Sequence, residues 1–123
     1  MLKDFYTILH SNRIDETHYE FDILLNEKHE IFKGHFPNFP ITPGVCMLQI
    51  IKNFSEEITG QKLFMSKTSN VKFMALINPI ENPKLKLNIE ITQNDSGNWV
   101  VKNTTSFGDT IALKLTNTYK TIC

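Results

Sequence analysis

The residues best equipped for chemistry lie at 34–44, which reads Gly-His-Phe-Pro-Asn-Phe-Pro-Ile-Thr-Pro-Gly and runs straight into an apolar stretch over 45–58. A neutral imidazole takes up a proton near pH 7, so His35 is a candidate base. Pro37, Pro40 and Pro43 each fix φ and push the preceding residue towards extended geometry, so this loop is stiff and forms neither helix nor ordinary strand. Gly44 stands at the mouth of the helix that follows. The first backbone N–H groups of a helix have no partner within it, and here they can polarise an ester or thioester carbonyl. A structural imidazole bonded to loop carbonyls is the alternative that these residues alone leave open.

Other reactive types have weaker settings. Cys46 lies beside the loop, but its apolar surroundings favour an inert buried thiol over a nucleophile. Cys46 and Cys123 have neither metal-ligand spacing nor the look of a disulfide framework, which fits a reducing cytoplasm. Glu56 and Glu57 read as the solvated last turn of the helix, and His10, His18 and His29 as surface or strand residues. Phe73, Met74 and Leu76 are candidates either for lining an acyl tunnel or for plain core packing.

The elements that must hold this loop can be read from periodicity. Met47, Ile51, Phe54 and Ile58 recur at helical spacing, with Leu48 and Ile50 widening the stripe and Gly60 as the stop, which predicts a helix over 44–59. Its first half is apolar nearly all round, as in a buried helix wrapped by a sheet. Residues 4–11 suggest a first strand ending at a turn at Asn12-Arg13, with a short helix as the competing reading. Residues 18–25 alternate with period two, placing Tyr19, Phe21 and Ile23 on one face. Residues 26–33 should form a turn. Further strands are expected at 71–77, 84–92, 99–107 and 110–119, with turn chemistry at Asn82-Pro83, 95–98 and Gly108-Asp109. A meander of antiparallel strands with one long helix inside is an α+β fold.

At 123 residues the chain is expected to be one domain, 1–123, in which a single fold carries the whole function. Thirteen basic residues balance thirteen acidic ones, so a nucleic-acid partner is disfavoured. No stretch approaches the ~18 consecutive apolar residues of a membrane span, and no secretory leader opens the chain. A protein retained in the cytoplasm, off the membrane, is the expectation.

The run Gly34-His35-Phe36-Pro37-x-x-Pro40-x-x-Pro43-Gly44-Val45 closely resembles the signature of the 3-hydroxyacyl-acyl-carrier-protein dehydratases, members of the hot-dog fold superfamily. The motif covers about a tenth of the chain. The helix after it, a strand over 70–77 ending at Pro79 and the later alternating strands follow the order that family would have. The resemblance implies an antiparallel sheet curled round one central helix, dimerised so that two sites lie between protomers. It implies dehydration of a 3-hydroxyacyl thioester, on acyl carrier protein or coenzyme A, without metal or organic cofactor. His35 matches the motif's catalytic His, and the Gly44 amide matches the donor to the thioester carbonyl. Phe36, Pro43, Val45, Phe73 and Met74 would contact substrate. Family members usually carry Glu or Asp four positions after the Val of Pro-Gly-Val, where this chain has Gln49. Glutamine can hold a hydroxyl or a water, but it has no titrating proton to give a leaving hydroxide. With that acid missing, a non-catalytic or weakly catalytic acyl-binding subunit is the rival reading. A thioesterase shares the fold, but the His-Phe-Pro motif argues against it.

Overall fold

The one α-helix among the described residues, α1 (Gly44–Thr59), starts and stops where the sequence places it. Pro43 occupies the N-cap with φ −62° and ψ 143°, and Gly60 ends the helix at φ +69°, a left-handed conformation that glycine adopts without Cβ strain. Met47, Ile50, Ile51 and Phe54 are buried on one side of it. The computed structural model describes residues 3–34 and 40–122, so His35 and Phe36 lie outside the described residues.

The remaining elements are β1 (Tyr6–Arg13), β2 (His18–Leu25), a 3-10 turn (Glu30–Phe32), β3 (Leu63–Phe73), β4 (Lys84–Gln93), β5 (Trp99–Phe107) and β6 (Thr110–Thr121). All strand pairings are antiparallel, and the six strands form one sheet in the order β1-β2-β4-β5-β6-β3. This is the hot-dog arrangement of a sheet around one helix. The core joins that helix to the inward side chains of the sheet: Phe21, Ile23 and Leu25 from β2, Leu85, Leu87, Ile89 and Ile91 from β4, Val101 from β5, and Leu113, Leu115 and Tyr119 from β6. Their spacing of two is the pleat of half-buried strands. Tyr19, expected on the same face, is only partly buried.

Three strand expectations need correction. β4, β5 and β6 do form a meander, but β3 is not the neighbour of β4; it sits at the far edge against β6. Its span is also earlier than the expected 71–77, because β3 begins at Leu63 and ends at Phe73. As an edge strand with register shifts between Met65 and Lys67 and between Ser69 and Lys72, it carries polar residues without regular alternation. Residues 74–77 leave the ladder, although the Met74 and Ala75 amides both reach the Ala112 carbonyl, at 2.8 and 3.3 Å. Lastly, β1 continues through Asn12 and Arg13. The turn comes later because the Asp15 carboxylate accepts from the backbone amides of Thr17 and His18, both at 2.9 Å.

Candidate functional site

The loop residue Thr42 donates its amide to the Ile77 carbonyl at 2.8 Å, stitching the approach to α1 against the segment after β3. Between these two strips lies a cavity of about 520 Å³, lined by residues 41–45 on one side and 73–77 on the other. The lining is aliphatic and aromatic except for Thr42, whose hydroxyl is buried without a hydrogen-bond partner among the described residues. Such a volume and lining suit an apolar ligand group.

Four of the expected substrate contacts meet here: Pro43, Val45, Phe73 and Met74 all line the cavity, together with Gly44. Phe73 and Met74 are each 56% exposed, so they are walls of the cavity and not part of the core. The N-cap of α1 makes no side-chain hydrogen bond, and the first intrahelical bonds run from Cys46 and Met47 to the Pro43 carbonyl. Among the described residues the amide at Gly44 has no partner, and it lies at the positive end of the helix dipole. Gly44 also has a steric reason to be glycine: a Cβ there would stand 2.8 Å from Cζ of Phe73.

Gln49 is elsewhere. Five residues after Gly44, it projects about 140° around the helix at roughly 100° per residue, and it does not line the cavity. It is part-buried, and its amide nitrogen donates to Asn53 Oδ1 at 2.9 Å, one helical turn on. Asn53 Nδ2 donates in turn to the Tyr6 hydroxyl at 3.3 Å, which ties α1 to β1. Sequence reasoning missed Tyr6 and Asn53. Only the i, i+4 spacing of Gln49 and Asn53 was available as a signal.

The competing reactive groups settle into structural roles. Cys46 is buried and its thiol is pushed up by desolvation, as expected of an inert cysteine. Glu56 is not merely a solvated last-turn residue, because its carboxylate accepts the Leu63 amide at 2.8 Å and fixes the start of β3. Glu57 is exposed. His29 caps the 3-10 turn by accepting from the Ile31 amide. His18 lies exposed between two carboxylates, Asp15 at 2.9 Å from Nδ1 and Glu90 at 2.7 Å from Nε2. The hydrogen bond to Asp15 leads the causes that raise its pKa. Asp15, bonded first to the Thr17 amide and then to His18, is held down at about 2. Among the described residues, no group of three or more His, Cys, Asp or Glu could hold a metal ion, and no helix is long and apolar enough to cross a membrane.

Comparison with known proteins joins these observations. The family model for ApeI-like dehydratases matches residues 11–111. The 3-hydroxyacyl-acyl-carrier-protein dehydratase FabZ of Levilactobacillus brevis is 28% identical over 120 residues, covering 87% of this chain and 78% of that protein. Among solved structures, the dehydratase heterocomplex ApeI:P from Xenorhabdus doucetiae superposes with a TM-score of 0.69 at 18% identity, covering 92% of this chain and 96% of that one. A hypothetical thioesterase with coenzyme A from Streptococcus pneumoniae gives 0.67 at 11% identity, covering 99% and 91%. At these identities the two structures speak for the shared fold alone.

Proposed function

The chain belongs to the ApeI-like dehydratase family, and from that premise we propose that it converts a 3-hydroxyacyl thioester to the trans-2-enoyl thioester in fatty-acid-type synthesis. The acyl group would be carried on acyl carrier protein, or on coenzyme A as the second choice. We place the whole of 1–123 in one hot-dog domain acting in the cytoplasm. The observation that carries the reading is the apolar cavity lined by Gly44, the first residue of α1, directly after the His-Phe-Pro loop.

His35 takes the proton from C2, and the Gly44 amide steadies the charge that develops on the thioester oxygen. The C2–H electron pair becomes the new C2=C3 bond while the C3–O bond breaks with its pair on oxygen. The proton held by His35 passes to that oxygen, which leaves as water, and the imidazole returns to its starting form. No metal or organic cofactor is called on. Phe36, Pro43, Val45, Phe73 and Met74 hold the acyl chain. Because Gly44 and Gln49 of one chain face different ways, the site pairs His35 and Gly44 of one protomer with Gln49 of the other in a homodimer.

The test is turnover of a 3-hydroxyacyl thioester by the chain alone, beside His35→Ala. The expected result is activity that the substitution abolishes while the melting curve is unchanged. Full activity in His35→Ala overturns the mechanism. Gln49 in the usual position of an acid supports a second reading, an acyl-binding subunit that does not turn over. Thioester binding without product by the folded parent chain selects that reading.

A further inference from the structure

Two side chains one turn apart on α1 and a third from β1 form a hydrogen-bond relay, Gln49 to Asn53 to Tyr6. Its far end is fixed by packing. The Tyr6 ring meets Phe54 edge-on with centroids 5.8 Å apart, and Phe54 stacks on Phe21 at 4.0 Å with 4° between planes. Phe54 and Phe21 are core residues, so the Tyr6 hydroxyl has a defined place at the end of β2's neighbour strand. With Asn53 donating to that hydroxyl, its carbonyl must face Gln49, and the NH₂ of Gln49 must face Asn53. The Gln49 carbonyl oxygen and the second N–H of its amide are then left to meet a ligand, with the oxygen on the side away from Asn53.

We propose that Asn53 and Tyr6 are positioning residues that present Gln49 to the substrate as a hydrogen-bond acceptor. The inference rests on the dehydratase reading and deepens it. A 3-hydroxyl group donating its hydrogen to Gln49 Oε1 turns its lone pairs away from Gln49 and leaves them open to the proton held by His35. Gln49 thereby supplies orientation in place of an acid, and one imidazole serves both proton transfers.

The variants Asn53→Leu, Asn53→Asp and Tyr6→Phe separate orientation from mere packing. An aspartate at 53 accepts only, so it still draws the Gln49 NH₂ towards itself and keeps Oε1 on the substrate; leucine cannot, and Tyr6→Phe keeps the ring but removes the partner of the Asn53 NH₂. With a 3-hydroxyacyl thioester as probe, kcat should fall by up to about 10²-fold in Asn53→Leu, the scale of a misplaced catalytic group. A smaller fall is expected in Tyr6→Phe, with KM little changed in both, while Asn53→Asp keeps kcat near the parent value. Loss in Asn53→Asp equal to that in Asn53→Leu overturns the proposal, because the relay would then run the other way. Unchanged kcat in Asn53→Leu and Tyr6→Phe overturns it as well. A parent chain with no turnover defeats the dehydratase reading, and the relay is then decided by the side-chain amide protons of Gln49 in nitrogen-15 spectra. Slow exchange in the parent and in Asn53→Asp, lost in Asn53→Leu, supports the assigned direction; any other pattern overturns it.

Discussion

Gln49→Glu would set a carboxylate against Asn53 Oδ1, so Asn53 must turn its NH₂ to face it and the Tyr6 hydroxyl must donate instead. A carboxylate that accepts a hydrogen bond is favoured in its charged form, which is the wrong form for a general acid. Sequence alone argues for a gain of ~10²–10⁴ in rate from a restored acid; with the relay in place, the expected outcome is no gain in thioester turnover. A rise of that size would mean that Asn53 does not control position 49. The departure at Gln49 was legible in the sequence, but its partners were not, because Tyr6 and Asn53 come together only through the packing of β1 on α1. The same holds for His18, which reads as an idle surface imidazole and proves to bridge Asp15 and Glu90. The doubly protonated ring can donate to both carboxylates, the neutral ring to one. Since the pKa of His18 is raised, its contribution to stability is full below 6.5 and fades as pH climbs through the folded value. Asp15 works in the other sense, with a contribution present above 3.8 and lost as pH falls towards about 2. Thermal melts between pH 5 and pH 9 should therefore show a small decline on the alkaline side that His18→Gln removes.

Helix α1 was legible to the residue because its signals are local: Pro43 and Gly44 at the start, Gly60 at the stop, and an apolar stripe between them. β3 was not, because an edge strand is held by one neighbour and needs no alternating apolar face, so Ser66, Lys67, Thr68 and Ser69 give no period to read. The cavity wall inherits the difficulty. Phe73, Met74 and Leu76 belong to the strand's end and the segment beyond it, and only the structure distinguishes wall from core. Gly44→Ala tests how these two elements meet. Alanine is a better helix former than glycine by up to ~1 kcal/mol, and the atom that its Cβ would strike is the far end of a half-exposed Phe73 ring. The expected outcome is a melting temperature held or slightly raised. Binding of an acyl thioester should weaken by about tenfold or more, the scale of one misplaced apolar contact. Unaltered binding, read by calorimetry, would place the ligand away from this wall.

For the molecule as a whole, β3 pairs with β6 on one side only and, among the described residues, no strand pairs with its other edge. Phe64 and Val71 are exposed along it, and Met74, Leu76 and Val45 continue the apolar surface to the cavity. Edges of this kind invite another chain. Sedimentation at micromolar concentration should give a dimer, and Val71→Lys should shift it towards monomer with loss of turnover, because Gln49 would no longer reach the second site. A parent chain that sediments as a monomer would rule out the shared site. The sheet order has a temporal consequence too. β1–β2 and β4–β5–β6 are built from short hairpins, whereas β2 meets β4 across a separation of 72 residues between His18 and Glu90. Closing a loop of that size before its contacts reward it is the slow event in folding. A chain emerging from the ribosome could therefore fold its first hairpin early, but α1 would stay uncovered until β4, β5 and β6 have been made. Throughout that interval the apolar helix that ends at Gly60 is exposed, and it is the segment on which a chaperone would act.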